Sequence, residues 1–324
     1  MIFMLDRLCI NAYNLLDKKC WGHVAGDKMN KLTLQQQAQI LNLLAEGNSM
    51  RAASRIADVS INTVTKLLVD AGTACLAYQD AAIRNIKAKR VQCDEIWAFC
   101  HSKERNVAPE RKGILGYGDV YTWTAIDADT KLALSWLVGH RGSEYAEAFI
   151  ADLASRLEGR IQLTTDGHGP YLGAVEKVFG GAIDYAMLVK IYENPEQQGQ
   201  RRYSPAQFVK ADKRPMTGTP DLGAISTSYV ERQNLTMRMG MRRFTRLTNG
   251  FSKKIENLEH AVSLHCMHYN FARIHKTLRV TPAMEAGLSD HVWSLEEIAG
   301  LVPDPVAKPR GPYKKRQAVS EISN

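Results

Sequence analysis

Val91 to Cys100 (VQCDEIWAFC) is a largely apolar run around a carboxylate pair, and it reads as a buried β-strand. An ionised Asp inside such a strand is costly unless it is paired, hydrogen-bonded or bound to a metal. Asp94 is therefore the more constrained member of the Asp94-Glu95 pair, and the fold has to bring partners to it. The segments that follow read as mixed α/β. Val120 to Ile126 and Leu132 to Val138 flank Asp127-Ala-Asp-Thr130 as an antiparallel hairpin. Ser143 caps a helix through Leu157, with Phe149, Ile150 and Leu153 inward. Ile161 to Thr165 is a further strand and ends at Asp166-Gly167-His168-Gly169-Pro170. A carboxylate at the carboxyl end of a strand lies where open α/β sheets keep their ligands. The alternative is an Asp that closes a turn through its own backbone. Pro170 to Phe179 reads as helix and Ile183 to Val189 as strand. Residues 192–223, rich in Pro and Gly and carrying Arg201, Arg202, Lys210, Lys213 and Arg214, read as an inserted loop.

A second constraint lies downstream. From Glu231 to Lys254 the only acid is Glu231, against Arg232, Arg238, Arg242, Arg243, Arg246, Lys253 and Lys254. The stretch begins as a helix that Ser226 or Ser228 can cap, with Glu231 in its first turn or two. One carboxylate in a cationic field suits a ligand for a hard metal ion or an acid among phosphate-binding side chains; a basic surface helix with an incidental Glu is the alternative. Leu258 to Phe271 continues as helix, His275 reads as a packing residue, and 289–324 is a C-terminal segment with a basic flexible tail.

Upstream, Leu32 to Gly72 carries the spacing of three short helices. Ser49 caps the second and Ser60 the third, and Gly72 ends the third. This is the arrangement of a helix-turn-helix. Ser60, Asn62, Thr63, Thr65 and Lys66 stand on the early turns from which a recognition helix reaches base edges and phosphates. A three-helix bundle that binds no DNA is the alternative. Residues 29–79 form this all-α domain, 80–90 a basic linker and 91–288 the α/β domain. Residues 1–28 are an uncertain segment in which Cys9, Cys20 and His23 lack the spacing of a closed zinc site, and Met29 is the expected start.

Composition sets the outer limits. Lys+Arg 42 against Asp+Glu 34 gives a net charge of +8, which fits a polyanionic partner. Six cysteines without a CxxC pair favour reduced thiols and a cytoplasmic setting. No apolar run approaches the roughly 20 residues of a membrane span.

Asp94, Asp166 and Glu231 lie 72 and 65 positions apart, so only tertiary folding unites them. A ribonuclease H-like sheet, a mixed sheet flanked by helices, does so by placing one Asp centrally, a second at the end of the adjacent strand and a third acid on a covering helix. Two divalent ions roughly 3.5 to 4 Å apart, Mg²⁺ or Mn²⁺ by their preference for hard oxygen ligands, then activate water or a 3′-hydroxyl against a phosphodiester.

With these pieces in place the chain resembles an insertion-sequence transposase of the IS1 group, within the DDE, ribonuclease H-like superfamily. The residues that carry the likeness are Gly47 to Arg55 with Ser60 to Val64, Cys93 to Trp97, Thr165 to His168, Tyr229 to Asn234 with the arginines after it, and Asn270 to Gly287. The resemblance implies that Asp94, Asp166 and Glu231 are the catalytic, metal-binding triad and that Asn234 and Arg238 face the DNA strand, alongside Arg242, Arg243 and Arg246. It also implies double-stranded DNA as partner, both the terminal inverted repeats of an element and the target, and a homo-oligomer that holds two ends together at the bacterial nucleoid. The amino-terminal zinc-binding segment frequent in that group has no convincing counterpart here. A DNA-binding regulator with structural carboxylates and a nuclease that cuts without joining are the competing readings.

Overall fold

The computed structural model describes residues 31–193, 207–245 and 248–303. The expectations placed on residues 1–28, on Arg201, Arg202 and Arg246, and on the tail from Lys308 lie outside the described residues.

Three helices come first. The Thr33 hydroxyl accepts from the Gln36 N–H and the Gln36 side chain returns the bond, which opens α1 (Leu34–Ala45) with a capping box. The Ser49 hydroxyl accepts from the Ala52 N–H to start α2 (Met50–Ile56), and the Ser60 hydroxyl accepts from the Asn62 N–H to start α3 (Ile61–Ala82). Both serines are the ones the sequence singles out as caps. The turn between α2 and α3 passes through Asp58 at φ 51°, and the Ser54 hydroxyl closes it by donating to the Val59 carbonyl at 2.6 Å.

A six-stranded sheet follows, built from β1 (Arg90–Cys100), β2 (Gly118–Asp127), β3 (Ala133–Gly139), β4 (Gln162–Asp166), β5 (Asp184–Glu193) and β6 (Gln207–Thr217) in the order β3-β2-β1-β4-β5-β6. The pairs β1–β2, β2–β3 and β5–β6 are antiparallel, while β1–β4 and β4–β5 are parallel. Each parallel step is bridged by a helix, α4 (Ser143–Arg156) before β4 and α5 (Pro170–Phe179) before β5. After β6 come α6 (Ser228–Gly240), a 3₁₀ turn at Arg242–Phe244, α7 (Ile255–Met267) running into a π-helical turn at His268–Ala272, and the short α8 (Pro282–Glu285) and α9 (Leu295–Gly300).

The loop expected over 192–223 is corrected by β6, which pairs with β5 along nearly all of its length. Pro215 obscured it. Proline is excluded from central strands but tolerated at an edge, and Pro215 sits on the outermost strand beside a register shift. The basic stretch after Glu231 is helical only as far as Gly240.

One apolar cluster is continuous from Ile40 and Leu41 of α1 and Leu68 of α3 to Trp123 of β2, Phe149 of α4, Tyr171 of α5 and Tyr185 of β5. A second fills the space between the opposite face of the sheet and α6 and α7, through Ile96, Val120, Met237, Phe244, Leu258 and Val262. The helices therefore cover both faces of the sheet.

Gly72 does not end α3, which runs on to Ala82 with Cys75 and Gln79 buried. The glycine is where α7 crosses. A Cβ on Gly72 would stand 2.5 Å from the His260 Cβ and 2.7 Å from its Cα and carbonyl oxygen, a contact with backbone that no rotamer change relieves. Beside the crossing the Ser263 hydroxyl donates to the Gly72 carbonyl at 2.8 Å, and the Gln79 amide donates to the Ser263 carbonyl at 3.1 Å. Gly72→Ala is expected to push α3 off α7 and lower stability by about 1–3 kcal/mol, despite alanine's better helix propensity; a chemical-denaturation midpoint equal to that of the parent chain would refute the crossing.

Candidate active site

β1 supplies the centre of the site through alternation. Gln92 and Asp94 are two residues apart and share the face under α6. The Gln92 Oε1 accepts from the Tyr229 N–H at 2.9 Å and the Val230 N–H at 3.1 Å, filling backbone donors left open at the helix start. Asp94 meets the same helix one turn on, where Asn234 Nδ2 donates to its Oδ2 at 2.8 Å. The other oxygen, Oδ1, accepts from the Glu95 N–H at 2.8 Å. Thr124, directly across on β2, shares its hydroxyl proton between the Asn234 Oδ1 and the Asp94 carbonyl, each at 3.2 Å. Asp94 is thus held in one orientation from two sides.

Asp166 is the last residue of β4, next to Asp94 in the parallel register that pairs Cys93 with Thr165. Its Oδ1 accepts from the His168 N–H at 2.9 Å and its Oδ2 lies 3.6 Å from Arg141. One oxygen thus closes the turn, as the second reading of this residue expects, and the other lies toward Arg141.

Glu95 is the acid the sequence undervalued. Its side chain leaves the opposite face of β1, but β4 stops at Asp166, so from that point β1 has no neighbour on that side. One oxygen each from Asp94, Glu95 and Asp166 lies within 4.8 Å of the others, the one such group of His, Cys, Asp or Glu among the described residues. The Glu95 side chain is only 1% exposed and pairs with Arg141 at 3.0 Å, while its Oε1 is buried without a hydrogen-bond partner. The buried Tyr171 hydroxyl stands beside it, off hydrogen-bond geometry. Arg141 follows β3 and no local pattern in the sequence marks it.

Burial, then the neighbouring Asp166, push the Asp94 carboxyl up to about 6; the Glu231 charge adds to this, and the bonds from Glu95 and Asn234 oppose it. Burial likewise pushes Glu95 up to about 7, against the pull of Tyr171 and Arg141. Glu231, in the first turn of α6, stays outside the 4.8 Å group: its Oε1 accepts from the Lys190 ammonium of β5 and from the Thr227 hydroxyl. The structure therefore brings Asp94 and Asp166 together, adds Glu95, and holds Glu231 close enough for its charge to act on Asp94.

The donor set fits a divalent cation. It offers hard carboxylate oxygens on acids whose raised pKa values register a shortage of positive charge.

Of the residues expected at DNA, Ser60, Asn62, Lys66 and Arg242 are exposed and Thr63, Thr65 and Arg238 half-buried. The Ser60 hydroxyl is engaged as a cap, that of Thr65 donates to the Ile61 carbonyl at 2.8 Å, and Lys66 pairs with Asp70. Two expectations are corrected. Asn234 is 3% exposed and its amide is committed to Asp94 and Thr124, so it positions the carboxylate instead of facing DNA. Arg243 turns inward to the Ser252 hydroxyl at 2.6 Å and the Met50 sulfur at 3.3 Å, and desolvation pushes its pKa down to about 10. His168 packs against Trp123 and Tyr171 at the edge of the site, and the His275 N–H donates to the Val280 carbonyl at 2.9 Å.

The carboxylates give a signed pH dependence. Asp94 and Glu95 keep their protons to higher pH in the folded chain than their ordinary values of 3.8 and 4.5 allow when unfolded. The folded chain thus binds more protons between about pH 4 and pH 7, and stability falls as pH rises through that window. Without divalent ions the thermal midpoint is expected to decline from pH 5 to pH 8, and Mg²⁺ or Mn²⁺ to raise it more at pH 8 than at pH 5. An ion effect equal at both pH values would contradict this.

The sequence matches no known family profile and no curated protein. Solved structures with some likeness include the piggyBac transposase synaptic complex with hairpin DNA, at 12% identity and TM-score 0.31, covering 67% of this chain and 52% of that one. The Mos1 transposase paired-end complex with left transposon end is 14% identical with TM-score 0.20, covering 50% of this chain and 59% of that chain. A pre-cleavage Mos1 transpososome is 10% identical with TM-score 0.20, covering 52% and 62%. The aligned part spans about half to three fifths of those proteins. Among the described residues no helix is long and apolar enough to cross a membrane.

Proposed function

We propose that this chain is a transposase that binds the ends of a DNA element and cuts and joins strands by metal-assisted transesterification. The observation that carries the reading is the juxtaposition of Asp94 and Asp166 on neighbouring parallel strands, under a helix whose first turn bears Glu231. The strand order, with an antiparallel β1–β3 meander and β4 and β5 parallel to β1, supports a ribonuclease H-like domain. The serine-capped pair α2 and α3, with Asn62 and Lys66 exposed, supports a helix-turn-helix ahead of it.

Asp94, Asp166 and Glu231 would hold two divalent cations, Mg²⁺ or Mn²⁺, with Glu95 at hand as a further oxygen donor. When bound, such ions supply Lewis acidity toward the attacking and leaving oxygens of a phosphodiester. The chain's own groups prepare the ground. Asn234 fixes the Asp94 carboxylate, Arg141 offsets the charge of Glu95 and Asp166, and Lys190 holds Glu231. Exposed cations such as Arg242 bind the phosphate backbone. Two copies would hold two element ends in a synaptic complex.

Asp94→Asn, Asp166→Asn and Glu231→Gln are each expected to abolish cleavage of labelled DNA in Mg²⁺ while leaving its binding in EDTA intact. Glu95→Gln, which keeps the site's shape, is expected to slow cleavage about tenfold, the scale of losing a supporting partner at a metal site. Joining of a cut 3′ end to a second DNA separates this reading from a nuclease that only hydrolyses. Full cleavage by any of the first three variants would remove that residue from the site.

A further inference from the structure

A cleft of about 790 Å³, lined by none of the four carboxylates, lies between the α1–α2 turn, the start of α3, the loop after α6 and one side of α7. Among the described residues four cations, Arg51, Arg242, Arg243 and Lys253, line it and no acid does. Arg51, Arg242 and Lys253 are exposed at its rim, while Arg243 is held inward by Ser252. The floor is apolar, formed by Leu68, Ala261 and Leu264 among others. His265 also lines it, and this ring is the independent sign of a ligand. It is 3% exposed, yet neither of its nitrogens has a hydrogen-bond partner. Burial pushes its pKa down to about 3, so the imidazole is neutral, with one nitrogen a donor and the other an acceptor.

A buried donor and acceptor above apolar side chains, with cations at the mouth, match a heteroaromatic base that carries a phosphate. The cleft has the volume of a small-molecule site. Its mouth includes Ile61 and Thr65, the same turn of α3 that exposes Asn62, so whatever enters is continuous with that face. From this we infer that the cleft receives one unpaired nucleotide of a DNA strand, its base over the apolar floor beside His265 and its phosphates on Arg51, Arg242 and Lys253. The inference rests on the DNA-binding reading above and adds to it a site for a base drawn out of the duplex.

The test uses the full chain in EDTA, where no cleavage intervenes, and 2-aminopurine, a fluorescent base that brightens when unstacked. The probes are a short single strand with an internal 2-aminopurine, a fluorescein-labelled blunt duplex, and free dAMP as competitor. Binding is expected to brighten the single strand. Ala261→Trp, which fills the cleft, and Lys253→Ala, an exposed change that spares folding, are each expected to weaken single-strand binding about tenfold, the scale of one lost base stack or phosphate contact. Duplex anisotropy with Ala261→Trp should match the parent. If both variants hold the single strand as the parent does while the duplex binds, the cleft assignment fails and the DNA-binding reading stands. Should dAMP compete as well as the strand at equal nucleotide concentration, the site is one for free nucleotides and the inference is overturned. Loss of binding to strand and duplex alike by the parent chain would overturn the DNA-binding reading and this inference with it.

Discussion

A carboxylate in the middle of a sheet is the constraint on which the rest of this molecule turns. Asp94 occupies the central part of β1, with β2 on one side and β4 ending on the other, and among the described residues only α6 offers it a side-chain donor. The match between strand and helix is metrical. Two residues along β1 advance roughly 6.6 Å, and four to five along a helix advance roughly 6 to 7.5 Å. Gln92 therefore meets Tyr229 and Val230 while Asp94 meets Asn234. Glu231 lies between these two anchors, so its place over the strand follows from bonds made by its neighbours. Asn234 is in this sense a structural requirement of Asp94, which is why it is buried and not presented to solvent.

The electrostatic balance leans the same way. Four carboxylates, Asp94, Glu95, Asp166 and Glu231, meet two cationic side chains, Arg141 and Lys190. Coulomb repulsion and desolvation leave Asp94 and Glu95 reluctant to ionise, and every proton they retain marks charge the chain itself does not neutralise. Arg141 reaches one oxygen of Glu95, while the other lies buried beside the Tyr171 hydroxyl.

What the sequence made legible follows from how local each feature is. Capping serines, alternating strands and an Asp at a strand end are read within a few residues, and Ser49, Ser60, β1 to β5 and Asp166 lie where those patterns put them. Glu95 was not legible, because its side chain leaves the wrong face of β1 and reaches the site only where β4 stops. Gly72 reads as a helix end in isolation, and its real role depends on α7, whose crossing residue His260 is far along the chain. Arg141 and Lys190 carry no local mark, since a lone cation on a loop or strand acquires meaning only from the acid opposite. The inward turn of Arg243 likewise depends on Ser252 and on Met50.

These contacts also decide how Glu231 can approach the Asp94–Asp166 pair. Moving α6 together with the 3₁₀ turn after it would pull Met237, Met241 and Phe244 out of a packed cluster, at about 1.5–3 kcal/mol for each side chain lost from the core. It would also open the seat of its last turn, where the Met239 carbonyl lies 3.1 Å from the position of a Cβ on Gly47, a glycine at φ 81°. Releasing Glu231 from Lys190 costs far less. Both side chains are partly exposed, at 41% and 30%, and such pairs contribute about 0–1 kcal/mol. The energetically open route for Glu231 is thus a rotamer change at the first turn of a stationary helix, with Lys190 giving way and the backbone left where it is.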